Sequence, residues 1–79
     1  MLLLNAETTA NLVDAAKSAM ICQHLDLDFA IGEDEDGNVL AVDATGAVAG
    51  LEISFEIMGL QWPVITDVDV AEFREINNV

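Results

Sequence analysis

The sequence predicts an α+β fold, in which an N-terminal helix packs on a three- to four-stranded antiparallel β-sheet meander and a short C-terminal helix follows. Two changes of hydrophobic period carry this prediction. Apolar residues first recur every three or four positions, then alternate with polar residues, and finally return to helical spacing. Turn residues between the alternating segments indicate short connections. The expected order is α-β-β-β-(β)-α, in a single domain over residues 1–79.

The first periodic segment predicts a helix at about residues 8–24. Leu12, Ala16 and Ala19 follow one another at three- and four-residue spacings, which place them on one face of a helix with Met20. The start of this helix is left open, because three nearby residues are suitable N-caps: Asn5, Thr8 and Thr9.

Alternation of apolar and polar residues predicts the strands that follow. The first strand covers 25–31, the second 38–43 and the third 47–59, with turns at 36–38 and 44–46. Gly, Asn and Asp in the first of these turns tolerate the positive φ that a tight hairpin requires. Short connections of this kind join antiparallel neighbours, which gives the meander.

The end of the chain predicts a short helix at about 69–77. Asp69 is followed three residues later by Glu72, the spacing of a capping arrangement with Asp69 as the N-cap. Between this helix and the third strand, Val64 and Ile65 are an optional edge strand.

The charge of the chain is its most unusual property. Fifteen Asp and Glu residues stand against two Lys and Arg residues, for a formal net charge of −13. Such a chain is not expected to bind DNA, RNA or an anionic membrane directly. The excess favours a basic partner, either a cationic protein surface or a nucleic-acid-binding cleft, or divalent cations. A solubility role for the acidity is the alternative.

The predicted strands arrange part of this charge on one sheet face. Asp26 and Asp28 point outward from the first strand, and Glu52 and Glu56 from the third, at intervals of about 6.6 Å along each strand. The run Glu33–Asp36 and Asp43 lie at one end of the same sheet. The candidate partner-binding residues are Asp26, Asp28, Glu33, Asp34, Glu35, Asp36, Asp43, Glu52 and Glu56.

Metal and catalytic sites are not predicted. Aligning Gly37 with the glycine of a calcium-binding EF-hand loop puts Gly32, which has no side-chain ligand, at the first position. The run Glu33–Asp36 is therefore predicted as a solvated hairpin tip, with loose cation binding as an alternative. Cys22 and His24 point about 200° apart on a helix, which argues against a nucleophilic pair. We expect no catalytic residue, no cofactor and no enzymatic activity.

A lone Cys22 excludes an internal disulfide, and neither a secretory leader nor a membrane-spanning run is recognisable, so a cytoplasmic location is expected.

Trp62, next to Pro63, has two interpretations. It either covers the edge of the core, which the needs of a small domain favour, or anchors a partner.

In its size, its composition and its acidic predicted sheet face, the whole chain resembles the small anti-defence proteins of phages. This group includes DNA-mimic anti-restriction proteins and anti-CRISPR inhibitors. The resemblance implies an inhibitor that binds the nucleic-acid-binding surface of a host defence complex and blocks its access to DNA. It also implies that the candidate residues act as phosphate surrogates that meet Lys or Arg, in the cytoplasm of the host cell.

Two other functions stay open at this point. One is a structural or assembly module, paired as a homodimer through a sheet edge or the apolar stretch Leu2–Leu4, whose acidity serves solubility. The other is an immunity or antitoxin protein that neutralises a basic toxin with the same electrostatics.

Overall fold

The computed structural model describes residues 2–4, 8–33 and 39–79, which form three α-helices and three short strands. The elements follow in the order β1 Leu2–Leu4, α1 Thr9–Leu25, β2 Phe29–Glu33, β3 Val39–Val42, α2 Ala44–Met58 and α3 Asp67–Asn77. The strands lie in the order β1-β2-β3, with β1 parallel and β3 antiparallel to β2. Helices therefore dominate the described chain.

The predicted fold class, an N-terminal helix on a three- to four-stranded antiparallel meander, is wrong. The segment predicted as the third strand is helix α2. Its alternating apolar residues satisfy a strand pattern, but burial follows a four-residue repeat: Ala47, Leu51 and Phe55 are buried. Ile53 and Ile57, which the strand interpretation placed on the same face as Leu51, are 60 % and 81 % exposed. The buried period is that of a helix.

Two residues that the prediction placed at strand ends, Asp43 and Gly59, are the caps of this helix. Asp43 is the N-cap of α2, where its carboxylate accepts a hydrogen bond from the backbone N–H of Gly46 at 2.6 Å. At the other end Gly59 adopts φ +70, in the left-handed region that glycine tolerates best. The N–H of Leu60 donates to the carbonyl of Phe55 at 2.9 Å, which completes a Schellman-type end. The predicted turn at 44–46 is thus the first turn of α2.

The predicted N-terminal helix is present as α1, with Thr8 as its N-cap. The strand predicted from residue 25 begins only at Phe29, because α1 continues to Leu25 and ends at Asp26, whose φ of +58 is left-handed. The second predicted strand is β3. The turn predicted at 36–38 lies outside the described residues.

Toward the C-terminus, the optional edge strand at Val64 and Ile65 is wrong, because the described chain between α2 and α3 has no strand. The predicted short C-terminal helix is present as α3. Its N-cap is Thr66 and not Asp69, which is instead the acidic partner of the capping box. Hydrogen bonds from the backbone and hydroxyl of Thr66 reach the Asp69 carboxylate, both at 3.0 Å, and hold the pKa of Asp69 below its ordinary value.

Strand β1 is a short element that local pattern does not predict. Its residues pair in register with β2, Leu2 with Phe29 and Leu4 with Ile31. Parallel neighbours need a long crossover, and α1 provides it. The pairing of β2 with β3 contains an irregularity between Ile31 and Glu33, where Gly32 has φ +56.

Helices α1 and α2 form the most extensive contact in the described chain, and alanines line it. Ala15, Ala16 and Ala19 on α1 and Ala44 and Ala47 on α2 are all buried in one core cluster. Side chains this small allow two helix backbones to approach closely. The other members of the core cluster are larger side chains: Leu12, Ile21, Cys22, Phe29, Leu51, Phe55 and Phe73.

We predict that Ala47→Leu lowers the free energy of unfolding by about 1–3 kcal/mol, because the fully buried site has no room for three more carbons. Ala49→Leu, on the exposed face of the same helix, is the control and should change stability by less than about 0.5 kcal/mol. Urea denaturation followed by circular dichroism measures both. Equal effects of the two variants would contradict the packing of α1 against α2.

Two glycines in or next to α2 should respond oppositely to alanine. Gly59→Ala should destabilise the chain by about 1–2 kcal/mol, because φ is left-handed there. Gly50→Ala should stabilise it by about 0.5–1 kcal/mol, because Gly50 is helical and an added Cβ meets nothing within 4 Å. Thermal unfolding of the two variants checks the prediction, which fails if both shift the melting temperature in the same direction.

Candidate functional site

The carboxylates that the structure describes lie at the surface. All of their side chains are exposed except that of Asp69, which is half-buried. Within the described ranges no charged or polar side chain is buried. The candidate site is therefore a surface, and its geometry depends on which carboxylates the fold brings together.

Three of the predicted residues, Asp26, Asp28 and Asp43, line one surface groove of about 220 Å³. The antiparallel register explains why. Phe29 at the start of β2 pairs with Val42 at the end of β3, so the residue before β2 and the residue after β3 meet at one edge of the sheet. Asp28 and Asp43 occupy these two positions. Asp26 reaches the same edge because α1 ends there.

The rest of the groove joins the end of α1 to the start of α2. Gln23 and Thr45 line it, and the Gln23 side-chain amide donates a hydrogen bond to the Thr45 hydroxyl at 3.4 Å. The C-terminal end of α1 carries partial negative charge, which adds to that of Asp26. The negative charge of Asp43 is partly compensated, because Asp43 caps the N-terminus of α2. The groove is consequently a negative surface that suits a Lys or Arg side chain.

Glu52 and Glu56 do not lie on a sheet face, which corrects the prediction for these two residues. They lie on α2, both exposed, and one helical turn apart. Thr45, which lines the groove, precedes Glu52 by seven residues, or about two turns, so all three share one edge of the helix. Of the five described candidates, three therefore line the groove, and two lie farther along the edge of α2 that starts there. We call Asp26, Asp28, Asp43, Glu52 and Glu56 the carboxylate track.

The outward sheet rows predicted for Asp26 and Asp28 are also wrong, because both residues precede β2. The remaining candidates lie outside what the structure describes: Asp34, Glu35 and Asp36 in full, and Glu33 in its side chain. Loose cation binding by the run Glu33–Asp36 therefore stays a prediction. Among the described residues, no three His, Cys, Asp or Glu side chains form a group suited to a metal ion.

Cys22 and His24 differ in their environment as well as in the direction of their side chains. Cys22 is fully buried, and this burial raises the pKa of its thiol, which disfavours the thiolate nucleophile. His24 is exposed in the last turn of α1. The thiol is a core side chain here, as its hydrophobic character predicts.

Trp62 is half-buried and packs against the core cluster. Its ring meets that of Phe55 edge to face, with centroids 5.0 Å apart. This contact agrees with the favoured interpretation of Trp62 as a residue at the edge of the core.

Sequence reasoning missed two surface features. Exposed apolar side chains lie on the outer side of α2, since the strand pattern had assigned Ile53 and Ile57 to the core. A second cavity of about 280 Å³ lies where α1 meets the start of α3, with His24 and Asp67 among its lining residues. A helical interpretation of residues 44–58 would have revealed the first feature but not the second.

The site and the fold together define a mainly helical acidic protein with a carboxylate surface. None of the helices in the described ranges combines the length and the apolar character needed to cross a membrane. Comparison of the chain with protein-family models, with curated proteins and with solved structures gives no match. Its function has to be argued from its own residues.

The Asp26 carboxylate is expected to lower stability. Asp26→Asn should raise the free energy of unfolding by about 0.3–1 kcal/mol at low ionic strength, because it removes a negative charge from the C-terminal end of α1. Asparagine also tolerates the left-handed φ of this position. Urea titrations at low and high salt measure the gain, which should shrink as salt screens the charge.

Asp69→Asn makes the same chemical change and serves as the control. It should lower stability at neutral pH, since the Asp69 carboxylate accepts hydrogen bonds from Thr66. A depressed pKa stabilises the fold above the unfolded-state pKa, so this loss should disappear as pH falls through the lowered pKa of Asp69. A stability gain from Asp69→Asn, or a loss from Asp26→Asn, would contradict the electrostatic account.

Proposed function

We propose that this chain is a small acidic inhibitor that binds the basic nucleic-acid-binding surface of a host defence complex. In this proposal the complex is a CRISPR or restriction system, and the chain blocks its access to DNA by charge mimicry. The observation that carries the proposal is the carboxylate track, in which three carboxylates converge on one groove and two more lie farther along the same edge of α2.

The scarcity of positive charge supports this proposal. Lys17 lies on α1 and Arg74 on α3, and neither residue lines the groove. Arg74 donates a hydrogen bond to the carbonyl of Val79 at 3.2 Å, within the C-terminal end of the chain. The track thus presents a single sign of charge, which steers a basic partner to it and discriminates against acidic ones.

The dimensions of the track suit a surface that holds phosphates. From Asp43 to Glu56 the helix rises about 20 Å. Along duplex DNA that length carries about six phosphates per strand. Five carboxylates over a comparable length offer a row of Lys and Arg residues a similar number of partners.

Helix α2 holds two residues of the carboxylate track on a rigid element. Its inner side is anchored by Ala47, Leu51 and Phe55, so Glu52 and Glu56 project from a packed element. Preorganised charges lose less conformational entropy on binding than charges on a loose tail.

The assembly module is the second candidate, because exposed Ile53 and Ile57 could join two copies of the chain. The two functions predict opposite responses to salt. A charge mimic loses its partner as salt rises, whereas apolar self-association persists or strengthens.

The decisive experiment adds the purified chain to a panel of restriction and CRISPR effector complexes and measures their DNA binding at low and moderate salt. We expect at least one complex to lose DNA binding, with inhibition weakening as salt rises. Glu52→Lys/Glu56→Lys should abolish that inhibition, because it reverses the charge of the two track residues on α2.

Glu72→Lys/Glu75→Lys is the matched control, since it makes the same change of charge on two exposed residues of α3. This variant should retain most of the inhibition. If no complex is inhibited by the unmodified chain at low salt, the proposal is wrong. If both variants lose inhibition equally, net charge alone is responsible and the track has no special role.

A further inference from the structure

The outer side of α2 carries an apolar face directly beside the acidic edge of the same helix. Ile53 and Ile57 are 60 % and 81 % exposed and stand one turn apart, so their side chains are neighbours. Gly46, Ala49 and Gly50 lie within about 60° of Ile53 around the helix. These five residues are the outer α2 face.

Packing within the chain accounts for Gly46, where an added Cβ would lie 3.2 Å from the Asp43 carboxylate, but not for Gly50 or the two isoleucines. A Cβ added at Gly50 would meet nothing within 4 Å, and glycine is a poor helix former. Ile53 and Ile57 are exposed although both are large and apolar. A partner helix would meet two apolar anchors above a flat surface that permits close approach.

The charge beside this face restricts which partner can cover it. Glu52 and Glu56 flank Ile53 and Ile57 on one side only, and no Lys or Arg occurs between Ala44 and Met58. A second copy of the chain would bring the same face and the same acidic edge, with no cation to pair with either glutamate. Two chains of net charge −13 would also repel each other.

Helix α3 offers no comparable surface. Its exposed apolar residues Val68 and Ile76 are eight positions apart, and Glu72 lies midway between them. Two isolated apolar side chains separated by a carboxylate do not form one anchor site. Their similar exposure makes α3 a suitable internal control for α2.

We infer that the outer α2 face docks a basic amphipathic helix of the partner, whose apolar side chains cover Ile53 and Ile57 while its Lys or Arg residues pair with Glu52 and Glu56. This inference rests on the proposed function, and names the element of the basic partner that the chain recognises. Burial of the isoleucines supplies affinity, and the glutamates supply on-rate and orientation.

The test uses a synthetic peptide of about 18 leucine and lysine residues, long enough to form a helix, with leucines on one face and lysines along one flank of it. A second peptide keeps every lysine but replaces the leucines with serine. Titration calorimetry measures both affinities for the full chain, and nuclear magnetic resonance shifts locate the bound peptide. The leucine-containing peptide should bind at least about tenfold more tightly and shift residues of α2.

Ile53→Ala/Ile57→Ala should weaken binding of the leucine-containing peptide by about tenfold or more, while alanine keeps the helix intact. The matched control Val68→Ala/Ile76→Ala should change it by less than about twofold. Circular dichroism verifies that both variants fold. Glu52→Gln/Glu56→Gln should reduce the dependence of binding on salt.

Four results would overturn the inference. If the serine peptide binds as tightly as the leucine peptide, or if the α2 and α3 variants behave alike, charge alone attracts the peptide, and only the proposed function survives. If neither peptide binds the unmodified chain at low salt, the basic-partner function fails as well. If sedimentation detects a dimer that Ile53→Ala/Ile57→Ala dissociates, a second copy and not a basic helix covers the face.

Discussion

The close contact between α1 and α2 is the constraint on which the rest of this structure depends. Alanines on both helices make the contact possible, and Ala19 and Ala47 are among the fully buried ones. Because α2 is held against α1 along its inner side, its start is placed beside the end of α1, where Asp26, Asp28 and Asp43 converge. The same packing turns Ile53 and Ile57 outward.

The carboxylate track includes one position, Asp26, that folding alone would not select. Asp26 adds negative charge where a helix already ends in partial negative charge, whereas Asp69 and Thr66 cap a helix in the favourable direction. The chain thus contains both stabilising and destabilising carboxylates. A small domain has little stability to spare, so destabilising charge gathered in one place is more readily explained by binding than by folding.

Charge and apolar surface have different roles on α2. Exposed carboxylates act over a distance of about one Debye length, roughly 8–10 Å at ordinary ionic strength, so in the proposed function they would guide a basic partner toward the helix. Ile53 and Ile57 act only at contact, where the removal of their side chains from water is favourable. A helix that carries both groups side by side can select partners by sign of charge and then by shape.

The acidic character of the chain and the N-terminal helix could be predicted from the sequence, because composition and a helical period need no distant partner. Strand β3 was also predicted, although it forms by pairing with β2. Residues 44–58 could not be assigned without tertiary packing, because Leu51 and Phe55 fit a strand pattern and a helical pattern equally well. Asp43 and Gly59 are common to turns and helix caps, so they did not discriminate between the two. The helix is distinguished from a strand by the burial of every fourth residue in the core. Leu2–Leu4 forms a strand because it pairs with β2. The carboxylate track could not be predicted for the same reason: its members converge through strand register and helix packing, which join residues far apart in the chain.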